Sequence, residues 1–369
     1  MIGSEIEACD TVDYDNLYLF HYNKRCNEDS DEMVKRARGI IVDTTSSVIV
    51  CDNFPYTPEY SFYVDDIETR LGDLSNYKIF ESLEGTIIRV FFHTDSWRIA
   101  TTKRINAYES YWGGSKLSFG KLFEKAIKQY IKTKFMNWLY SLNKNIQYLF
   151  LLTPTKDTRI VARYTDVPLV YHVGSFENCK LSIDNSPFKN ILPTISDLSL
   201  KFNNYDELRN YLDNLNCTHN QGVLLFDVNN NYKIVKILSN NYLSLREIRG
   251  NVSDIKIRYL QLRNISTDIT LLLSLYRERA EEFQKIETGM RILTETILRL
   301  YKSRYVEKKY TFIKNNFLLK IVKDKCHNQY YLKTKNAVNI DVVEEILSKE
   351  NPRKILKLIY NIINGQTLS

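Results

Sequence analysis

The segment from Tyr301 to Lys335 combines positive charge with aromatic rings, the two side-chain types that bind a nucleic-acid backbone and its bases. Only Glu307 and Asp324 offset ten basic residues, so the net charge of the segment is +8. The basic residues are Lys302, Arg304, Lys308, Lys309, Lys314, Lys320, Lys323, Lys325, Lys333 and Lys335. The interleaved aromatic residues are Tyr301, Tyr305, Tyr310, Phe312, Tyr330 and Tyr331. Because aromatic residues at helical spacing more often belong to a core, we expect the lysines rather than the rings to bind.

The positive charge is concentrated in the C-terminal third of the chain. Residues Arg246–Ser369 hold 24 Lys+Arg against 14 Asp+Glu, which leaves 27 against 30 for the first 245 residues. A basic block joined to a nearly neutral one favours an acidic partner, and RNA or another nucleic acid is the partner we expect. The alternative is a solvated helical surface in a chain whose Lys, Asn, Ile and Tyr content is typical of an AT-rich genome.

The bulk composition excludes several classes of protein. A hydrophobic content of 44% with 26% charged residues is that of a globular protein. No run approaches the roughly 18 uncharged apolar residues of a membrane span, so we expect no membrane partner. The N-terminal sequence MIGSEIEACD is acidic and does not resemble a secretory signal. We therefore expect a cytoplasmic, intracellular protein.

The six cysteines are widely spaced and form no CxxC pair, which is typical of reduced thiols in a cytosol-like compartment. Two short Cys/His pairs, Cys217 with His219 and Cys326 with His327, offer only two ligands each. Structural zinc needs four ligands, so the sequence predicts no metal site from these pairs.

The first two thirds of the chain read mainly as strands. Paired apolar runs with a polar turn between them predict hairpins at 40–51 and 86–102. Further strands are predicted at Tyr148–Leu152, Arg159–Tyr164, Pro168–Ser175, Gly222–Val228 and Tyr232–Leu238. One long amphipathic helix is predicted from Ser118 to Leu142, where apolar residues recur every three or four positions.

Beyond Leu245 helical spacing dominates, with one long helix predicted at Leu271–Arg304 and a last one after Pro352. The sequence therefore predicts an α+β chain of two domains. Residues 1–245 form antiparallel sheets with helices, and residues 246–369 form a basic, mainly α-helical domain.

Four short segments in the strand-rich part carry charged residues and glycines in a fixed order. They are Arg36–Asp43 (RARGIIVD), Glu81–Thr86 (ESLEGT), Leu151–Val161 (LLTPTKDTRIV), and Gln221–Leu225 (QGVLL) continuing into Val235–Leu243 (VKILSNNYL). Their order and spacing resemble the phage-type ATP-dependent RNA ligases of the covalent nucleotidyltransferase superfamily. The resemblance covers roughly residues 15–245, and it implies an adenylation domain followed by a helical C-terminal domain that helps to recognise RNA.

In that family, a lysine in the pattern K-x-(D/E)-G attacks the α-phosphate of ATP and passes the resulting AMP to an RNA 5′-phosphate. Alignment through Glu84 and Gly85 places Ser82 at the position of this lysine. A hydroxyl cannot form the phosphoramidate that the family's chemistry needs. The resemblance therefore predicts a pseudoenzyme without a catalytic nucleophile.

Four further departures from the family pattern also indicate a loss of catalytic activity. The aromatic stretch 54–60 lacks the lysine that the family carries there. Phe150 and Gln221 stand where the family has glutamates, and Leu238 replaces the second of two phosphate-binding lysines. The loss of two carboxylates removes ligands that a divalent cation needs. We therefore expect no cofactor, and we expect ATP and Mg²⁺ only if ligase activity persists.

Some positions of the family pattern are retained. The candidates for binding a nucleotide or phosphate are Arg38, Glu84, Gly85, Lys103, Gly222 and Lys236. Gly85 and Gly222 are interpreted as tight-turn residues that need a positive φ. Arg38 could instead form a structural ion pair at a strand end.

Two alternatives to an RNA-binding pseudoenzyme remain. The first is an active ligase with a displaced nucleophile, either Lys78 or Lys103. The second is a protein-interaction or assembly factor, encoded by a virus and acting in the host cell, that retains only the fold.

Overall fold

The computed structural model describes residues 5–12, 16–24, 26–184, 186–230, 233–310 and 312–365. The chain divides into two compact units, Met1–Glu247 (unit 1) and Ile248–Ser369 (unit 2). The predicted α+β class is confirmed, with antiparallel sheets in unit 1 and helices throughout unit 2. Among the described helices, none has both the length and the apolar character needed to cross a membrane.

Unit 1 is built from three sheets. The strands are β1 Ile6–Val12, β2 Leu17–Tyr22, β3 Arg38–Asp43, β4 Val48–Cys51, β5 Glu59–Tyr60, β6 Tyr77–Ser82, β7 Thr86–His93, β8 Ser96–Thr101, β9 Ile146–Leu152, β10 Val170–Glu177, β11 Lys180–Ser182, β12 Gly222–Asp227 and β13 Ile234–Leu238. The strand orders are β1-β2-β3-β4, β11-β10-β9-β7-β8 and β5-β13-β12-β6. All neighbouring strands are antiparallel except β5 and β13.

Short helices cover these sheets. They are α1 Glu32–Arg36, α2 Ile67–Leu71, α3 Phe119–Lys128, α4 Phe135–Tyr140, α5 Tyr205–Asp213 and α6 Asn240–Arg249, which crosses the division between the units. The single helix predicted for 118–142 is therefore two helices. The break between α3 and α4 lets Phe135 and Trp138 pack with Phe123 around Phe150, a contact that one straight helix would not give.

Unit 2 is helical. Its helices are α7 Ile255–Leu262, α8 Ser266–Leu275, α9 Ala280–Tyr301, α10 Asn316–Lys320, α11 Leu332–Thr334, α12 Ile340–Ser348 and α13 Pro352–Ile363. The predicted helix Leu271–Arg304 is interrupted by a 3₁₀ turn at Arg277–Arg279 and ends in a π-helical turn, Lys302–Val306. A second π-helical segment, Ile321–Tyr331, joins α10 to α11.

Candidate nucleotide-binding site

The position assigned to the missing nucleophile lies in an enclosed row of the sheet β5-β13-β12-β6. Ser82, at the end of β6, pairs with Gly222 of β12, and Gly222 pairs with Leu238 of β13. Directly paired residues share one face of a sheet, so Ser82 and Leu238 point to the same side. Both are buried, at 0% and 1% exposure, and the Ser82 Oγ has no hydrogen-bond partner within the described ranges. An unpaired buried hydroxyl costs about 1–3 kcal/mol.

The two glycines of the family pattern are explained by close backbone approach, not by tight turns. Gly222 has φ +156° but begins β12, and a Cβ atom there would lie 2.0 Å from the Ile237 carbonyl oxygen. Gly85 is not among the glycines with positive φ. A Cβ atom on Gly85 would lie 2.5 Å from the Leu152 carbonyl oxygen. The prediction of tight turns was therefore wrong at both positions, whereas the positive φ predicted with it is confirmed at Gly222 and absent at Gly85.

Glu84 is buried, and its carboxylate binds the backbone of a distant loop. Its oxygens accept hydrogen bonds from the backbone N–H groups of Ile160, Val161 and Ala162, at 2.5, 2.8 and 3.0 Å. The Tyr242 hydroxyl donates a fourth bond at 3.2 Å. Four donors occupy most of the acceptor capacity of a carboxylate, so Glu84 acts in this structure as an anchor for the loop.

The strand predicted at Arg159–Tyr164 does not form, because these backbone donors bond to Glu84 instead of to a neighbouring strand. The apolar side chains of Ile160 and Ala162, two positions apart, matched the alternation that is typical of a strand, and this led to the wrong prediction. A side chain 76 residues away from Ile160 decides the local backbone here.

A basic cluster lies beside this row, and we define it as Arg38, Lys236 and Arg246 around Glu59. The Lys236 Nζ lies 3.0 Å from one Glu59 oxygen, and an Arg246 nitrogen lies 2.6 Å from the other. Burial alone would raise the pKa of Glu59, but Lys236 and Arg246 outweigh it, and the pKa lies below its ordinary value. Burial lowers the pKa of the Lys236 ammonium in spite of Glu59. One carboxylate among three cations leaves a net charge of +2.

Arg38 holds the uncompensated charge of the basic cluster. Its guanidinium donates to the Pro55 carbonyl at 3.0 Å and to the Thr57 hydroxyl at 3.2 Å, both neutral groups. In the described part of the chain, no carboxylate pairs with Arg38, so the structural ion pair considered from sequence is absent there. Its charge is close enough to lower the pKa of Lys236. The Arg38 guanidinium is therefore free to bind an anion.

Lys103 extends this positive region. It is exposed in the turn after β8. Burial, together with the charges of Lys103 and Arg38, lowers the pKa of His21, so the imidazole between them stays neutral near pH 7. Of the candidates from sequence, the structure thus brings together Arg38, Lys103 and Lys236.

Other predicted positions lie away from this region. Phe150 is fully buried, and its ring packs on Phe123, Trp138 and Phe188, whereas its neighbour Leu149 packs toward the sheet of Ser82. A carboxylate at Phe150 would therefore point into an aromatic core. Lys78 shares the Ser82 face of β6 but forms an ion pair with Asp184 at the opposite end of the strand.

The site does not fit a magnesium ion. The oxygens of Glu84 are bound by four donors, and those of Glu59 by two cations. The Gln221 amide is neutral and donates to the Leu83 carbonyl at 2.8 Å. Divalent cations need oxygen ligands with available lone pairs, and neither carboxylate has them to spare. Within the described ranges, no group of three or more His, Cys, Asp or Glu side chains could hold a metal.

In unit 2, the predicted nucleic-acid-binding cations are mostly on the surface. Lys302, Lys308, Lys314, Lys320 and Lys323 are exposed. Lys309 and Lys325 form ion pairs with Glu307 and Glu350, at 2.9 and 3.7 Å, and the Arg304 guanidinium lies beside the Tyr305 ring.

Three residues of the site were missed from sequence. Glu59 lies in the stretch noted for its missing lysine, and Arg246 was counted with the C-terminal domain. Tyr242 lies within the segment Val235–Leu243 but carried no assigned role. For Arg246, its place one turn after Tyr242 on α6 was the available signal, because residues four apart share a helix face.

No family model matches the chain. It is 28% identical over 359 residues to "Immediate-early protein ICP-46 homolog" of Invertebrate iridescent virus 6, an alignment that covers 88% of this chain and 76% of that protein. It is also 28% identical over 291 residues to the protein of the same name from Invertebrate iridescent virus 3, covering 75% of this chain and 62% of that one. The chain thus spans less than two thirds of the second relative.

Among solved structures, the chain is similar to a proposed ATP-dependent DNA ligase from Aquifex aeolicus, with TM-score 0.45, 12% identity and coverage of 99% and 97% of the two chains. It is also similar to an archaeal ATP-dependent RNA ligase, with TM-score 0.39, 9% identity and coverage of 95% and 91%. Both of these solved structures are of ATP-dependent ligases, at low sequence identity.

Proposed function

We propose that this chain is a degenerate relative of the phage-type RNA ligases that binds nucleic acid without joining it. The observation that carries the proposal is the state of Ser82, which is enclosed, has no amine and lies in one row with the apolar Leu238, across Gly222. Adenylyl transfer to the protein needs an amine with a free lone pair close to the α-phosphate.

The lysines around the site support the same proposal. Lys236 is bound to Glu59, and Lys78 is bound to Asp184 at the far end of β6. Lys103 is exposed to solvent in the turn after β8, outside the enclosed row that holds Ser82. An active ligase with a displaced nucleophile would have to release one of these amines.

Retained cations favour binding over chemistry. Arg38 has no carboxylate partner in the described ranges and neighbours Lys236, so a phosphate between them would complete the charge balance. We expect Arg38→Gln to weaken the binding of inorganic pyrophosphate by about 10- to 150-fold, since a charge-assisted hydrogen bond contributes about 1.5–3 kcal/mol. Lys78→Gln is the matched control and should have no effect. Isothermal titration calorimetry separates the two, and equal losses would contradict a site at Arg38.

The covalent step is tested by incubation with α-labelled ATP and either Mg²⁺ or Mn²⁺. We expect no label on the denatured protein. Ser82→Lys should not restore labelling, because Leu238 and Gln221 remain and an ammonium at this enclosed position is costly. A stable adduct mapped to Lys78 or Lys103 would establish the ligase alternative.

RNA binding is tested through its salt dependence. On a single strand, each neutralised phosphate contributes a slope of about −0.7 in log K against log salt. Replacing Lys314, Lys320 and Lys323 by alanine should therefore reduce the slope by about 2. Salt-independent binding, or none, would contradict the proposal. The matched control replaces exposed lysines of unit 1, namely Lys116, Lys132 and Lys134.

We further propose that the protein is virus-encoded and acts in the cytoplasm of the host cell. The similarity to two proteins of invertebrate iridescent viruses supports a viral source, and the six free cysteines suit a reducing compartment. If pull-down from infected cells gives a stable protein partner and the purified chain binds neither RNA nor pyrophosphate, the assembly-factor alternative is correct.

A further inference from the structure

Four rings of unit 2 form a stacked column that runs from the core to the surface. Tyr301 and Tyr305 have ring centroids 5.5 Å apart, at 35° to one another. Tyr305 and His327 are 3.8 Å apart and nearly parallel at 10°, and His327 and Tyr331 are 5.5 Å apart at 18°. Tyr301 is only 3% exposed, whereas Tyr331 is 36% exposed. We call these four residues the aromatic column, and its outer end is open to solvent.

The central member, His327, behaves as a flat neutral ring. Burial, with the nearby charge of Lys335, lowers its pKa, so the imidazole is unprotonated near pH 7. Its Nδ1 atom is buried and finds no hydrogen-bond partner in the described ranges. A histidine kept for a core hydrogen bond would have such a partner. Its ring stacks on Tyr305 and Tyr331 and also lies 6.2 Å from the tilted ring of Tyr301.

Cations lie beside two rings of the aromatic column, one inner and one at the exposed end. The Arg304 guanidinium carbon lies 5.8 Å from the centre of the Tyr305 ring, and the Lys335 Nζ lies 5.9 Å from the centre of the Tyr331 ring. Lys302 and Lys333 are exposed nearby in sequence. Rings that stack and cations beside them are the pairing that proteins use for single strands, because bases stack while phosphates meet the cations.

The local backbone is also unusual. Tyr305 lies in the π-helical turn Lys302–Val306, and His327 and Tyr331 lie in the π-helical segment Ile321–Tyr331. Such wide turns are rare and concentrate at functional sites. They hold three of the four residues of the aromatic column, and the fourth, Tyr301, is the last residue of α9.

We propose that the outer face of the aromatic column binds an unpaired base of single-stranded nucleic acid, with Tyr331 as the stacking ring and Lys335 on the adjacent phosphate. The inference rests on the proposed nucleic-acid binding and specifies its site and its strand preference. A base inside a duplex already stacks on both faces, so away from the duplex ends an unpaired base is needed to extend the column. Little sequence preference is expected, since every base has a π-face.

The experiment measures binding by fluorescence anisotropy with three labelled probes. They are oligouridylate of about 15 nucleotides, a length suited to one stacking site, an abasic strand of the same length, and an RNA duplex. Tyr331→Ala should weaken binding of oligouridylate roughly 5- to 150-fold and leave the abasic strand and duplex unchanged. Tyr331→Trp should keep the affinity. Tyr310→Ala is the matched control, because Tyr310 is 94% exposed in the same basic segment but outside the aromatic column.

The outcomes separate the two proposals. Equal effects of Tyr331→Ala and Tyr310→Ala, or an equal loss on the abasic strand, would overturn the stacking site while leaving nucleic-acid binding intact. If the wild-type protein binds none of the three probes, both this inference and the proposed function are wrong. Selective loss on the base-containing strand supports the stacking site.

Discussion

Glu84 offers a direct test of whether this family-pattern residue serves the fold or a ligand. Its two oxygens accept three backbone N–H bonds and the Tyr242 hydroxyl bond. Glu84→Gln keeps the size of the side chain but supplies one acceptor oxygen and one N–H₂ donor. If the amide oxygen serves Val161, Ala162 and Tyr242, the N–H₂ group faces the Ile160 N–H, and that donor loses its bond.

The magnitude follows from these bonds. A hydrogen bond to a charged group contributes about 1.5–3 kcal/mol, and a neutral acceptor gives roughly half of that. Losing one such bond and weakening three should destabilise the loop Ile160–Ala162 by about 3 kcal/mol, because effects within one network do not add fully. That is roughly a 150-fold increase in local opening, since about 1.4 kcal/mol is tenfold.

The assay is hydrogen–deuterium exchange of the peptide that contains residues 160–162, together with urea unfolding of the whole protein. Glu84→Gln should speed exchange of these amides and lower the free energy of unfolding. Glu81→Gln is the matched control. Glu81 is three residues before Glu84 and lies on β6, where it pairs with Val223 on the face opposite to that of Ser82. It should change stability by less than about 0.5 kcal/mol. If Glu84→Gln leaves exchange unchanged but weakens ATP or RNA binding, Glu84 is a ligand-binding residue and the reasoning is refuted.

Two further predictions concern stability. Gly222→Ala should lower the free energy of unfolding by about 2–3 kcal/mol in a urea titration, because its methyl group would meet a carbonyl oxygen at 2.0 Å. The control Gly114→Ala should be nearly neutral in the same titration, because its methyl group would have no atom within 4 Å. Burial in the aromatic core lowers the pKa of His172 to about 4. The folded state therefore favours the neutral imidazole, and the resulting stability is complete above about pH 6.5 and is lost as the pH falls toward 4. The free energy of unfolding should fall by about 3 kcal/mol over this range. His172→Phe should flatten this part of the pH profile, and an unchanged profile would show that other groups cause it.

The sequence predicted the strands and helices that are located by a local pattern of apolar residues. Apolar alternation located the hairpins β3–β4 and β7–β8, and helical spacing located α13 after Pro352. The segment Arg159–Tyr164 failed because its backbone donors bond to Glu84, a contact that no local pattern encodes. Long-range partners decide such segments, and strand propensity does not.

The candidate site was predicted in part for the same reason. Arg38 and Lys236 could be located because each belongs to a short motif, but their common counterion environment could not. Glu59 reaches Lys236 through the parallel pairing of β5 with β13, the one parallel contact described in unit 1, and a two-residue strand gives almost no sequence signal. Arg246 reaches the same carboxylate from a helix assigned to the other domain.

The structure also changes which departures argue against ligase activity. Phe150 lies in an aromatic core, so its replacement of a carboxylate says little about the face that carries Ser82. Ser82 and Leu238 stand on that face in one row, next to Lys236 and its counterion Glu59. The proposed loss of ligase chemistry therefore depends on that row, while the charge of Arg38 next to Lys236 supports the proposed binding of an anion. A phosphate needs only positive charge at the right distance, whereas adenylyl transfer needs a free amine as well, and on the proposed function this sheet face meets the first requirement without the second.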